Sequence, residues 1–192
     1  MHTETIKTEE DFKKLVTADL QYLNAVHWTP IEVIDQILFW LKDYDALKIL
    51  DIGSGVGKFC LIGGQKSHHH FTGIEKRTDF HDEGQKLLKA LNLPNVSLLQ
   101  ADIVTFNLTA YDVIYLFNPF YEQVVNHGTR INDTAYQKEN YLKYESYVLG
   151  HLINSVAGKM VISYEYNLMQ KAKGFVLLHE AFDGALGLWR KR

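Results

Sequence analysis

A short apolar run that ends in three closely spaced glycines constrains this chain more than any other feature. The run, residues 47–52, shows little alternation of polar and apolar positions, which is typical of a strand covered on both faces. Gly53, Gly55 and Gly57 follow it and allow the backbone to bend sharply and to approach a ligand closely, because they have no Cβ atom. A helical pattern begins at Lys58. The sequence therefore predicts a strand, a ligand-binding loop and a helix in succession.

The alternation of short apolar runs with helical patterns continues along the chain. Further strands are predicted over residues 70–75, 96–101, 111–117 and 159–164, and helices over residues 58–67, 79–91 and 135–156. Alternation of this kind predicts an α/β fold with a doubly wound, mostly parallel sheet that has helices on both faces.

The C-terminal part breaks this alternation. Apolar runs over residues 175–182 and 185–190 are joined by Asp183-Gly184, a dipeptide that favours the tight turn of a β-hairpin. We therefore expect an antiparallel hairpin at the end of the sheet. A dinucleotide-binding domain would instead continue with another strand–helix–parallel-strand unit.

Two helices are predicted before the first strand. Apolar residues at helical spacing predict one helix over residues 9–26, and a second helix begins at Thr29-Pro30. Thr29 is expected to cap the free N–H groups of this second helix, with Pro30 in its first turn. We expect one domain over residues 1–192, with residues 1–45 as a helical cap and residues 46–192 as the cofactor-binding core.

Composition excludes several other classes of protein. Apolar residues make up 46% and charged residues 22% of the 192 residues, as in an ordinary folded domain, and the net charge of −3 does not favour nucleic acid. The single cysteine, Cys60, excludes an internal disulfide and is expected in the core. Residues 1–11 do not resemble a secretory signal, and no apolar run approaches the roughly 20 residues of a membrane helix. We therefore expect a cytoplasmic protein with no membrane partner.

The spacing of the glycines separates three classes of ligand. A dinucleotide-binding loop would have its third glycine at position 58, which is Lys58. A P-loop would need glycine in place of Ile52 and serine or threonine in place of Phe59. The pattern Ile49-Leu50-Asp51-Ile52-Gly53-Ser54-Gly55-Val56-Gly57 instead resembles motif I of the class I methyltransferases, which use S-adenosylmethionine.

This resemblance implies a three-layer fold with a seven-stranded sheet and S-adenosylmethionine as the cofactor. Asp51, Gly53, Ser54, Gly55 and Gly57 would then contact the cofactor. A glycine-rich turn without a ligand is the alternative, and a nicotinamide-dependent oxidoreductase is a rival from another class.

Two further acidic residues follow strands on the same predicted edge of the sheet. Glu75 ends the strand after the glycine loop, where a carboxylate can accept both ribose hydroxyls, although a solvated charge at a strand end has the same pattern. Asp102 stands where the resemblance implies an acceptor for the adenine amino group. The predicted cofactor site also includes their neighbours Lys76 and Ile103 and, before the second helix, Thr29 and Trp28; Trp28 is either a lid over the cofactor or a core residue.

The segment Asn118-Pro119-Phe120-Tyr121 is the candidate catalytic motif. It resembles the (Asp/Asn/Ser)-Pro-Pro-(Phe/Tyr) motif of methyltransferases that modify amino nitrogen, although Phe120 replaces the second proline. The resemblance implies that the Asn118 side-chain oxygen and the Pro119 carbonyl accept hydrogen bonds from the target N–H groups, while the Tyr121 ring packs on the acceptor. It also implies that Asn118 contacts the cofactor. A simple turn out of the strand is the alternative.

A weaker resemblance links two segments, residues 51–58 and Gly73-Ile74-Glu75-Lys76, to similar segments of the non-SET histone-lysine methyltransferases. Thr29-Pro30 is similar to the Thr-Pro pair at the corresponding point of small seven-strand protein-lysine methyltransferases. These resemblances imply methyl transfer to a nitrogen of a protein side chain or a small molecule, ahead of nucleic acid. A non-catalytic S-adenosylmethionine-binding sensor or partner subunit is the alternative. No metal is expected at His68-His69-His70, because successive side chains point in different directions.

Overall fold

A computed structural model describes residues 5–25, 27–120 and 138–192. The α-helices are α1 Glu9–Leu15, α2 Ile31–Leu41, α3 Lys58–Lys66, α4 Thr78–Leu91 and α5 Lys138–Ile153, and short 3₁₀ helices cover Ala18–Ala25, Ile103–Thr105 and Asn167–Gln170. The strands are β1 Lys48–Ile52, β2 His70–Glu75, β3 Val96–Gln100, β4 Val113–Phe117, β5 Met160–Tyr164, β6 Phe175–Ala181 and β7 Leu186–Lys191.

The strands form one seven-stranded sheet in the order β3-β2-β1-β4-β5-β7-β6. Strands β1 to β5 run parallel, and β7 pairs antiparallel with both β5 and β6. Buried residues of α1 to α4 pack on one face of the sheet, and those of α5 and two 3₁₀ helices pack on the other. The predicted three-layer, doubly wound fold with a C-terminal hairpin is confirmed.

The hairpin turn has the geometry that its sequence predicts. Asp183 and Gly184 have φ angles of +52° and +84°, and the Ala185 N–H donates to the Phe182 carbonyl at 2.9 Å. Positive φ at both central residues is the requirement of a type I′ turn, which fits the twist of the two strands.

The N-terminal region differs from the prediction in two places. The single helix over residues 9–26 is wrong, because α1 ends at Leu15 and a separate 3₁₀ helix begins at Ala18. Between them the backbone N–H and the hydroxyl of Thr17 both donate to Glu83 Oε1, at 2.7 and 2.6 Å. This tertiary carboxylate replaces the helical acceptor and ends the helix.

The predicted cap of α2 is also wrong. Pro30 occupies the N-cap position and no side chain caps the helix. Thr29 is buried, and its hydroxyl is hydrogen-bonded to the Tyr115 hydroxyl at 2.8 Å. The threonine therefore fixes the entry of α2 to strand β4 rather than to the first turn of its own helix.

No α-helix among the described residues is long and apolar enough to span a bilayer. Cys60 is fully buried, as predicted for a core residue.

Candidate active site

The loop after β1 is held against the end of β2. Gly53, Gly55 and Gly57 have φ angles of +75°, +56° and +83°, a left-handed conformation that glycine adopts without strain. The N–H groups of Gly53 and Ser54 both donate to the Ile74 carbonyl, at 2.9 and 3.0 Å. These two hydrogen bonds therefore fix the position of the loop relative to the carboxyl end of β2.

Glu75, the last residue of β2, binds this loop directly. Its Oε2 accepts the Gly55 N–H at 3.0 Å, and its Oε1 accepts the Arg77 N–H at 2.8 Å. Burial raises the pKa of the Glu75 carboxyl, and these two backbone hydrogen bonds oppose the rise. Each oxygen retains a lone pair that can accept a hydroxyl group of a ligand.

Asp102 and Lys76 form the next part of the site, beyond the ends of β3 and β2. Lys76 Nζ lies 2.9 Å from Asp102 Oδ2 and also donates to the Tyr144 hydroxyl at 2.9 Å. Asp102 Oδ1 accepts the Val104 N–H at 3.2 Å. Partial burial acts to raise the pKa of the Asp102 carboxyl, but the hydrogen bonds from Lys76 and from the Val104 N–H outweigh it. The pKa is therefore below its usual range. Tyr144 of α5 thus reaches across to the carboxyl edge.

The Asn118-Pro119 turn lies against the glycine loop from the β4 side. Asn118 has a φ of +40°, which is uncommon for a residue with a side chain. A Cβ atom at Gly53 would lie 3.3 Å from both the Cβ and the carbonyl oxygen of Pro119. Phe120 is buried, with its ring centroid 5.4 Å from that of Tyr144. The predicted residue Tyr121 lies outside the described residues.

The remaining wall lies at the end of β1. Asp51 is 5% exposed, and burial, aided by repulsion from Glu75, raises the pKa of its carboxyl to about 7 against the contact with Cys60 Sγ at 3.8 Å. The Trp28 indole Nε1 would lie 3.3 Å from a Cβ atom at Gly55, and its ring packs edge-on against Phe12 at 5.8 Å. Trp28 is therefore both a core residue and a neighbour of the loop.

These elements enclose one cavity of about 500 Å³. Every described residue that the sequence assigned to the site, apart from Gly57, lines it: Trp28, Thr29, Asp51, Gly53, Ser54, Gly55, Glu75, Lys76, Asp102, Ile103, Asn118 and Pro119. Gly57 has a packing role, because a Cβ atom there would lie 2.7 Å from Leu98 Cδ1.

Several residues of the cavity wall were not predicted from the sequence. Lys58, Arg77 and Tyr144 line the cavity and bring polar groups to it. Lys58 is the last residue of the motif string 51–58 but was given no role there, and Arg77 directly follows Gly73-Ile74-Glu75-Lys76, so adjacency was the signal. Tyr144 comes from a helix distant in sequence, and no motif marks it.

The histidine run has no metal-binding geometry. Among the described residues, no cluster of three or more histidine, cysteine or acidic side chains could hold a metal ion. His69 is buried, and its Nδ1 accepts the Leu47 N–H at 3.2 Å, next to the first residue of β1.

Neither a protein-family model nor a curated protein matches this sequence. Solved structures do match it. An RNA methyltransferase from Salinibacter ruber in complex with S-adenosyl-L-homocysteine has 19% identity and a TM-score of 0.56, over 85% of this chain and 91% of that one. The magnesium protoporphyrin IX methyltransferase from Synechocystis PCC 6803 with bound S-adenosylmethionine has 14% identity and a TM-score of 0.62, over 92% and 85%. The fold is that of the class I methyltransferases. A putative methyltransferase from Escherichia coli, with 14% identity and a TM-score of 0.57 over 84% and 86%, shares this class I methyltransferase fold.

Proposed function

We propose that this chain is an S-adenosylmethionine-dependent methyltransferase that transfers the methyl group to a nitrogen atom. The solved methyltransferases of this fold support the cofactor, since two of them contain S-adenosylmethionine or its demethylated product. The cavity supports it independently, because the glycine loop, Glu75 and Asp102 line one continuous space at the carboxyl edge of the sheet. Ligands of open α/β sheets bind at that edge.

The order of the strands suggests how the cofactor would be held. Asp102 and Ile103, after β3, would contact the adenine, and Glu75, at the end of β2, would accept the ribose hydroxyls. The methionine part would then lie over the glycine loop, on the side of the cavity where β1 and β4 are neighbours. The cofactor supplies a methyl group on a positively charged sulfur, which is already a good leaving group.

The observation that carries the proposed reaction is the position of Asn118. The residue directly follows β4 in a left-handed conformation, lines the cavity and precedes Pro119, which lies against Gly53. Strained backbone of this kind is concentrated at functional sites. The Asn118 side-chain oxygen and the Pro119 carbonyl would accept the N–H groups of the acceptor and orient its lone pair. The N–C bond then forms as the C–S bond breaks, and the displaced proton leaves to water.

A protein side chain or a small molecule is the proposed acceptor.

The cap and the core of the single domain, residues 1–45 and 46–192, would both bind the cofactor, since Trp28 and Thr29 line the same cavity as the loop.

Radiolabelled methyl transfer tests this proposal. The purified protein is incubated with labelled S-adenosylmethionine and a host lysate, which is then separated into protein, nucleic-acid and small-molecule fractions. Asn118→Ala is expected to lower the transfer about 100-fold or more, because orientation of the acceptor is lost. Its affinity for S-adenosylhomocysteine, measured by calorimetry, should change little. Asn92→Ala is the matched control, because Asn92 is exposed and also has a positive φ, of +50°, at the end of α4.

Unchanged transfer by Asn118→Ala would remove Asn118 from the mechanism. Binding of S-adenosylhomocysteine by the wild-type protein, with no label in any fraction, would favour the non-catalytic alternative.

A further inference from the structure

A row of aromatic side chains continues the cavity wall past Asn118. Phe117, the last residue of β4, lines the cavity, and its ring centroid lies 4.8 Å from that of Tyr164, the last residue of β5. The ring centroids of Tyr164 and Phe182 are 6.5 Å apart, with the rings edge to face. Phe182 is exposed. The aromatic row, Phe117, Tyr164 and Phe182, therefore leads from the cavity to the protein surface.

The C-terminal hairpin holds the outer end of this row at the carboxyl edge of the sheet. Strand β7 runs antiparallel to β5, with Leu186 opposite Tyr164, so the turn before β7 lies beside the end of β5. The Glu165 N–H donates to the Ala185 carbonyl at 2.8 Å and joins the turn to β5. The row therefore lies over β4, β5 and the hairpin turn.

Two carboxylates lie beside the aromatic row. Glu165 directly follows Tyr164. Glu32 is in the first turn of α2, and the hydrogen bond between Thr29 and Tyr115 fixes the start of this helix to β4. Burial first, and then the charges of Glu165 and Glu32, raise the pKa of the Tyr164 hydroxyl, so both carboxylates act at this ring. Both are exposed, and neither forms an ion pair within the described part of the chain.

Aromatic rings beside carboxylates favour a cationic alkyl group. The face of a tyrosine or phenylalanine ring attracts an ammonium group, and a carboxylate accepts a charge-assisted hydrogen bond from it. An anionic acceptor would be repelled by Glu32 and Glu165. An alkylamine, which carries a positive charge at neutral pH, fits these surroundings.

The order of the strands puts the aromatic row on the acceptor side of the proposed reaction. The adenosine would lie at the ends of β3 and β2, whereas the row lies on the other side of Asn118, toward β5. An acceptor that enters along the row reaches Asn118 without passing the adenosine.

We propose that the aromatic row, with Glu32 and Glu165, binds the acceptor and that this acceptor is an alkylamine. This assignment rests on the proposed function, because it takes methyl transfer to nitrogen as the reaction. The bound ammonium gives one proton to water, and the neutral amine then has one N–H group for each of the two acceptors at Asn118 and Pro119. Its lone pair attacks the methyl carbon, and the N–C bond forms as the C–S bond breaks. The products are a methylated ammonium ion and S-adenosylhomocysteine.

Blocking the amines of the acceptor tests its chemical class. The protein, nucleic-acid and small-molecule fractions of a host lysate are each treated with acetic anhydride, which converts alkylamines to neutral amides and leaves carboxamides and guanidinium groups intact. Labelled methyl transfer is then measured with treated and untreated fractions. Acetylation should lower the transfer about 10-fold or more, because an amide has neither the charge nor the basic lone pair of an amine. The labelled fraction shows whether a protein or a small molecule carries the amine.

Variants of the row test where the amine binds. Tyr164→Leu and the double variant Glu32→Gln/Glu165→Gln should each raise the KM for the untreated fraction about 3- to 20-fold, with little change in kcat, because only the capture of the cation is weakened. Tyr164→Phe should keep the wild-type KM, since it retains the ring. Glu180→Gln is the matched control for the carboxylates, because Glu180 is an exposed residue of β6 in the same hairpin.

Transfer that survives acetylation, or that enters only the nucleic-acid fraction, would overturn the assignment and leave the proposed function standing. An unchanged KM in both Tyr164→Leu and the double variant would overturn it as well. If no untreated fraction takes up label from the wild-type protein, the proposed function itself fails.

Discussion

Asp51 is the acidic residue of the site with the largest conflict between charge and surroundings. Its carboxyl is buried at the end of β1, beside Glu75, and its pKa rises from the ordinary 3.8 to about 7. Between these two pH values the folded chain holds one more proton than the unfolded chain, so this residue makes the free energy of unfolding fall as the pH rises.

Asp51→Asn should therefore stabilise the ligand-free protein at high pH relative to low pH. The difference in the free energy of unfolding between the variant and the wild type should increase by about 2–3 kcal/mol from pH 5 to pH 8, because only the wild type loses the proton. Denaturant titrations at the two pH values measure this difference. Asp43→Asn removes an exposed carboxyl from the loop after α2 and serves as the control. A difference for Asp51→Asn that does not change with pH would contradict the raised pKa.

At the scale of single residues, the motifs predicted those parts of the cavity wall that lie within the motifs themselves. Gly55 and Glu75 are joined by a hydrogen bond, as expected from adjacent parallel strands. Thr29 was assigned a local capping role, but a long-range bond to Tyr115 takes its hydroxyl. Lys58 was predicted only as the end of the motif string 51–58 and as a departure from the dinucleotide loop. Its burial beside Glu9 depends on the packing of α1, which local sequence does not reveal.

At the scale of elements, strands were easier to predict than the ends of helices. The β2 strand lies over residues 70–75 as predicted, because a buried run between two breaks has little freedom in its register. The first helix was predicted too long, because Glu83, more than 60 positions away, accepts both hydrogen bonds of Thr17. Periodicity reports the face of a helix but not the tertiary acceptor that ends it.

The close packing of α3 on β2 gives a testable prediction at this scale. A Cβ atom at Gly63, within α3, would lie 2.5 Å from Phe71 Cε1 on β2. Gly63→Ala should lower the free energy of unfolding by about 1–3 kcal/mol through overpacking. Gly150→Ala is the matched control, because Gly150 lies within α5 and its Cβ position has no heavy atom within 4 Å. The control should be neutral or stabilising by up to about 1 kcal/mol, since alanine favours a helix. Denaturant unfolding of both variants measures the contrast, and equal effects would disprove the close contact.

At the scale of the whole molecule, the alternation of strands and helices predicted the doubly wound, mostly parallel sheet, but not the order of its strands. Parallel strands joined by helices wind in one hand, and the Asp183-Gly184 turn sets the direction of the last pair. Tyr144 was beyond reach, because its approach to Lys76 depends on how α5 packs across the second face. The acceptor remains the least predictable part, since a fold shared by methyltransferases of RNA and of a porphyrin does not determine it.

Residues at or just after the ends of strands β1 to β4 line the cavity, together with Trp28 and Thr29 from the N-terminal cap. A ligand that fills the cavity should therefore stabilise the whole fold. S-adenosylhomocysteine at 100 times its dissociation constant should add about 2.7 kcal/mol to the free energy of unfolding, which raises the Tm by roughly 5–10 °C in a chain of this size. NADH at the same concentration should leave the Tm unchanged, because position 58 is Lys58 rather than the third glycine of a dinucleotide loop. Glu75→Ala should reduce the shift with S-adenosylhomocysteine, whereas Glu180→Ala, an exposed carboxyl on strand β6, should retain it. A shift with NADH alone would favour the oxidoreductase, because only a ligand that binds the folded state raises its melting temperature.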